Sequence, residues 1–191
     1  MDIIGPQLDR TSECEAVLRT LPAWFGIENA LLMYKEDTAK LPTFAIKQDD
    51  RVIGFLTLRE HFPTAWEVHC MAVEAKSRGK HLGSQLLEHS EEWLRKRGVE
   101  FLQVKTVAAT SKSTGYAETR KFYEARGFVP VEIFPELWDV WPASTILAAR
   151  RQLSWPVGGG EVLLSVVDVA DAVVGLLRGF AGERNEPCLK S

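Results

Sequence analysis

Between residues 66 and 94 the hydrophobic pattern changes period once, and that change restricts the fold more than any other feature. Residues 66–73 (WEVHCMAV) are apolar on both faces, as expected for a central strand. Further along, Leu82, Leu86, Leu87, Trp93 and Leu94 recur near helical spacing, and Gly98 ends that helix. A central strand that turns straight into an amphipathic helix belongs in a layered α/β domain. The junction, residues 73–84, has a chemistry of its own. A helix start presents unpaired N–H groups and the positive end of the macrodipole, which suit a pyrophosphate. Gly79 and Gly83 let backbone approach phosphate oxygens, and Arg78 and Lys80 can add charge. The plainer reading makes both cations solvated loop residues before an ordinary helix. GxxxxGK[ST] is absent and no GxGxxG follows a first strand, so two common nucleotide loops are excluded.

The rest of the chain supplies the other layers. Residues 11–21 and 22–34 read as helices, with Pro22 suited to a first turn. Residues 43–47 and 52–58 are β-rich runs joined by a hairpin at 48–51. Residues 101–107 form a strand, 117–126 a helix capped by Gly127, and 128–134 a strand. The predicted fold is mixed α/β, a central mixed sheet flanked by helices. Residues 143–150 are the preferred final strand over the shorter 186–190. The division expected is residues 1–151 as the domain and 152–191 as a helical extension joined through Gly158, Gly159 and Gly160. In that extension, residues 162–177 place seven apolar side chains on one helical face, which points to a homodimer assembled through the tail.

Composition narrows the function classes. A net charge of −3 over 191 residues offers no field for nucleic acid. Cys14, Cys70 and Cys188 form no CxxC pair, which argues against a disulfide framework or a thiolate metal site and fits a reducing cytoplasm. The apolar stretch 161–180 carries Glu161, Asp168, Asp171 and Arg178, charges that are costly at a bilayer centre, so no membrane role is expected.

Three ordered motifs carry a resemblance. Arg78-x-x-His81-x-Gly83 resembles the Q/R-x-x-G-x-G/A pyrophosphate loop of the GNAT superfamily of N-acetyltransferases, with His81 in place of the first glycine. Upstream, residues 67–73 resemble the family's central strand, and downstream Lys121-Phe122-Tyr123-Glu124-Ala125-Arg126-Gly127-Phe128 is similar to its FYEKxGF element. The resemblance spans about residues 43–134. It implies an acyltransferase that uses acetyl-CoA as cosubstrate and no metal. Its central strand and the next would splay apart and hold pantetheine between them. The coenzyme contacts implied are Met71, Ala72, Val73, Arg78, Gly79, Lys80, His81, Leu82, Gly83 and Ser84.

Acetyl transfer to an amine needs a neutral amine, a donor to the acetyl oxygen and a proton for the leaving thiolate. The resemblance puts Tyr123 in the acid's place; the competing reading is a packed aromatic. It puts Glu67 where histone-type members carry a general base, and Trp66 beside it is expected to raise its pKa. The competing reading is a strand carboxylate satisfied by a neighbour. His69, on the same side, is a second base candidate. Backbone N–H groups of residues 71–73 are the expected donors. The family often has Asn where Tyr116 stands. Trp24, Phe25, Tyr34, Phe62, Trp66, Trp138 and Trp141 are candidates for the acceptor pocket. The expected acceptor is a primary amine on a small molecule. Alternatives are a protein lysine or N-terminus, or a catalytically silent acetyl-CoA-binding module.

Overall fold

Gln48 and Arg51 pair across a two-residue turn in which Asp49 and Asp50 take φ of +50° and +60°. Those are type I′ dihedrals, whose twist matches two antiparallel strands, and aspartate tolerates them. The hairpin joins β2 (Thr43–Gln48) to β3 (Arg51–Phe62). The computed structural model describes residues 1–111, 113–135 and 144–150, all within one unit of chain, Met1–Leu153. In chain order its elements are β1 (Asp2–Gln7), α1 (Thr11–Leu18), α2 (Pro22–Phe25), α3 (Glu28–Lys40), β2, β3, β4 (Ala65–Val73), a 3-10 turn (Ala75–Ser77), α4 (Leu82–Arg95), β5 (Phe101–Val107), α5 (Thr114–Glu124), β6 (Val129–Phe134) and β7 (Ser144–Arg150). The sheet runs β1-β2-β3-β4-β5-β7-β6, antiparallel except where β4 meets β5.

Strand alternation divides the core in two. Phe44 and Ile46 of β2 face the layer of α4 and α5, with Leu82, Leu86, Leu87 and Leu94 buried above them. Ala45, Phe55, Cys70 and Ala72 face the other way, under Cys14, Val17 and Leu18 of α1 and Leu31 of α3. Along β4 the alternation breaks. Val68 lies with the first cluster and Cys70 with the second, although two residues apart on a regular strand share a face. The cause is a bulge: Thr57 pairs with Cys70 but Leu58 pairs with Val68, leaving His69 as the extra residue.

The mixed sheet with flanking helices is the expected architecture. β7 takes residues 144–150, beside the expected 143–150, and fills the space between β5 and β6. Gly98 and Gly127 follow α4 and α5 with φ of +75° and +81°. Three elements differ from expectation. β1 is an additional edge strand, short, half-exposed and interrupted by Pro6, an arrangement an edge tolerates and a periodicity reading misses. The expected helix 22–34 is two helices, α2 and α3, with α3 running on to Lys40. β3 continues to Phe62, pairing its polar end with the start of β4. The expected tail helix, the 186–190 alternative, Trp138 and Trp141 lie outside the described residues. Among the described residues no helix is long and apolar enough to cross a membrane.

Candidate active site

β4 and β5 pair from Ala65–Phe101 to Val68–Val104, and there the ladder stops, although the strands continue to Val73 and Val107. Beyond that point the main chain of β4 has a neighbour on one side only. The Glu74 N–H donates to the Ile53 carbonyl at 2.9 Å, which sets the phase of the β3–β4 ladder. Gly54–Val73 and Leu56–Met71 are therefore non-hydrogen-bonded pairs and Phe55–Ala72 a hydrogen-bonded one. Met71 and Val73 consequently turn their N–H and C=O groups away from β3, into the gap left by β5. Ala72, expected to share that role, has its main chain engaged by β3. Thr106 of β5 lines the gap as well, and its hydroxyl, buried, has no hydrogen-bond partner among the described residues. Unpaired main chain plus an orphaned hydroxyl is what an extended, amide-bearing ligand needs.

The gap opens into a cleft of about 440 Å³ that reaches the start of α4. No side chain caps this helix, so its first N–H groups stay available. Its N-cap residue is His81, at φ +59° and ψ +16°. The residue that departs from the glycine of the loop thus adopts the left-handed conformation a glycine takes easily, one that histidine enters more readily than most side chains. Gly79, at φ +77°, makes the other left-handed step. Arg78, Gly79, His81, Leu82, Gly83 and Ser84 all line the cleft. Lys80 does not; it lies with Arg51 and Lys76 around a separate depression.

Two cations frame this end. The Arg126 guanidinium stacks on Phe122 at 3.7 Å and donates to the Ser84 hydroxyl and, at 2.7 Å, to the Phe122 carbonyl. The Arg78 guanidinium lies 4.1 Å from the Trp24 ring centroid. Trp24 packs on Gly115, where an added Cβ would come within 2.8 Å of the indole, so only glycine lets this ring settle against α5. Tyr116, in the expected asparagine position, reaches the Trp24 carbonyl with its hydroxyl at 3.5 Å. Arg126 was missed as a candidate although it lies inside the FYEKxGF-like element.

The two expected catalytic side chains have different surroundings. Tyr123 lines the cleft but is only 3% exposed, held edge-on between Phe122 and Phe128. Burial pushes its phenol far up, which keeps it protonated at neutral pH. It also packs into the core more deeply than Phe122. Glu67 is buried and is not part of the cleft lining. Its Oε2 accepts from His61 Nε2 at 2.6 Å and Lys105 Nζ at 2.7 Å. Burial pushes the carboxyl up, but His61 and the Lys105 ammonium outweigh it and hold the pKa at about 2. The expected upward shift is therefore corrected. Trp66, invoked as its cause, lies in the other core cluster, packed against Trp93.

His69 does line the cleft. Its Nε2 donates to Asp37 Oδ2 at 2.7 Å, and Arg59 Nη2 donates to the same oxygen at 2.8 Å. With Nε2–H committed to a carboxylate, Nδ1 is the ring's acceptor. Burial and the Arg59 charge lower the imidazole's pKa, so it is neutral at pH 7. Asp37, 32 residues away in the chain, could not have been found by spacing. Cys70 also lines the cleft, and burial raises its thiol pKa, which makes it a poor nucleophile at neutral pH. Among the described residues no cluster of His, Cys, Asp or Glu has the makings of a metal site.

Trp24, Phe25 and Tyr34 line the end of the cleft under α2 and α3. Of the other aromatic candidates, Phe62 is exposed at the end of β3 and Trp66 is core.

A family model described as Acetyltransferase (GNAT) family matches residues 12–128. No curated protein is a significant match to the chain. Solved structures with the same fold include an IAA acetyltransferase from Bacillus cereus, with 21% identity, 78% of this chain and 100% of that one covered, and a TM-score of 0.61. The aminoglycoside 6'-N-acetyltransferase from Enterococcus faecium has 22% identity, coverage of 78% and 97%, and a TM-score of 0.60. A GNAT family acetyltransferase from Elizabethkingia anophelis with acetyl-CoA bound has 15% identity, coverage of 78% and 97%, and a TM-score of 0.57.

Proposed function

The chain belongs to the GNAT acetyltransferase family, and on that premise we propose that it moves the acetyl group of acetyl-CoA onto a primary amine of a small molecule. The observation that carries the proposal is the end of the β4–β5 ladder at Val68–Val104 beside an uncapped helix start. When bound, acetyl-CoA supplies the acetyl group as a reactive thioester. The residues present fit it. The first N–H groups of α4, with Arg78 and Arg126 at the rim, suit the pyrophosphate. The Met71 and Val73 main-chain groups and the Thr106 hydroxyl suit the amides of the pantetheine arm. Held there, the thioester would meet the Met71 or Val73 N–H, a fixed dipole that could take up charge on the acetyl oxygen without reorienting.

Proton handling falls to two side chains. Tyr123, kept neutral by burial, donates to the departing sulfur. His69, neutral and held by Asp37, which Arg59 holds in turn, accepts from the amine at Nδ1, directly or through water. Glu67 keeps Lys105 and His61 in place and has no proton-transfer role. The test is release of free thiol from acetyl-CoA in the presence of simple primary amines. Tyr123→Phe should lower kcat by about 10²-fold or more while coenzyme affinity changes little. Turnover at the parental rate in that variant removes the acid role. Calorimetric binding of CoA with no thiol release on any amine would favour a silent binding module.

A further inference from the structure

Resting on the acetyl-transfer reading, we infer that the acceptor is an aromatic monoamine, and that this protein discriminates against polycationic amines such as aminoglycosides. The argument starts from a run of rings. Phe25 meets Tyr34 edge-on at 5.7 Å, and Tyr34 meets His69 at 5.4 Å. The run leads from the mouth of the cleft under α2 to the bulge of β4, two residues before Met71, whose main chain faces the gap. Phe25 and Tyr34 are half-buried, so each still has surface to offer. Leu21 and Trp24 add further apolar wall. A flat apolar body lying along these rings places its amine at His69.

Charge points the same way. Among the described residues lining the cleft, the cations are Arg78, Lys105 and Arg126, and Glu118 is the single carboxylate. Glu67 is buried and already shared between His61 and Lys105, and Asp37 is shared between His69 and Arg59. An acceptor with several ammonium groups finds one carboxylate, Glu118, for all of them, a mismatch that a low-dielectric cleft magnifies. A monoamine brings a single charge, which its proton carries to the His69 imidazole. Aromatic side chains gain from edge-to-face contact with a ring beyond what area alone provides.

The experiment is calorimetry on the full chain saturated with CoA, titrated with 2-phenylethylamine, n-propylamine and kanamycin. 2-Phenylethylamine should bind at least about tenfold more tightly than n-propylamine, a modest return on burying a phenyl ring. Kanamycin should bind no more tightly than n-propylamine. Phe25→Ala should remove most of the gap between the first two without altering CoA affinity, and Phe25→Leu, which keeps bulk but not the ring, should remove part of it. Kanamycin binding tightest, equal binding of the two monoamines, or no measurable binding of 2-phenylethylamine overturns the inference. The expected binding order without thiol release from acetyl-CoA leaves the acceptor class standing and sinks the acetyl-transfer reading. Thiol release driven best by kanamycin does the opposite.

Discussion

Where the cleft meets α4 its surface is main chain: the unpaired groups of Met71 and Val73, the left-handed steps at Gly79 and His81, and the first amides of the helix. At the other end, under α2 and α3, the surface is side chain: three aromatic rings, and a histidine held by an aspartate that an arginine holds in turn, both from other elements. The difference teaches where each end is fragile. A main-chain site depends on dihedral angles and on keeping Cβ atoms out of the way, so any residue that respects both will serve. A side-chain site depends on partners distant in sequence, and one deletion leaves a buried charge uncompensated. The first end suits the invariant half of a coenzyme, the second a ligand that differs from protein to protein.

The hardest way to break the first end is Gly83→Val. An added Cβ there stands in contact with the Phe122 ring at 3.4 Å, so valine's two further methyls would crowd that ring or the cleft where the proposed pyrophosphate lies. With a charge-assisted contact at about 1.5–3 kcal/mol, CoA affinity should fall by about tenfold or more. Calorimetry checks it, and unchanged affinity would remove the assignment of this loop.

Glu67→Gln strikes the side-chain end from below. Breaking a buried, compensated pair costs about 3–5 kcal/mol, and at roughly 2–4 °C per kcal/mol for a chain of this size the melting temperature should drop by roughly 6 °C or more. Because the carboxyl's pKa falls on folding from 4.5 to about 2, its stabilisation is fully present above pH 4.5. It is lost as pH falls toward 2, and the gap between parent and variant should close over that window. The loss in kcat should stay well short of the ~10²-fold expected for a missing base. A loss that large with unchanged melting would return the base role to Glu67.

The smallest effect sharpens the comparison. If the α4 end is read through its dihedrals, His81→Gly should leave CoA affinity within about threefold, since glycine enters φ of +59° freely. His81→Val, β-branched and strained by about 1–2 kcal/mol in that conformation, should weaken binding. Equal losses in both variants would show that the imidazole itself touches the coenzyme.

The donor end was largely legible in the sequence because its determinants are local. A strand period, a turn rich in small residues and a helix period lie within 29 consecutive residues, from Trp66 to Leu94, and the main chain they position needs no distant partner. Even so, His81 hid its own compensation, since nothing in the letters says that it sits left-handed. The side chains proposed to handle protons were legible as residue types but not in their surroundings. Glu67 stood where a base was expected, yet its pKa was decided by Lys105, 38 residues away, and by His61 on the neighbouring strand. His69 ranked second until the bulge and Asp37 placed it.

By itself, then, the sequence determined the layered α/β architecture, the positions along the chain of all strands but β1, and the glycine-bearing turn that leads into the helix after β4, because hydrophobic period and glycine placement act over a few residues. Only the tertiary structure decided that β5 leaves β4 after Val68, that the bulge turns β4 over at His69, and that Glu67 is engaged by Lys105 and His61 while His69 lines the cleft. Those outcomes depend on which charges and main-chain groups meet across the sheet, and a pKa belongs to a neighbourhood, not to a residue.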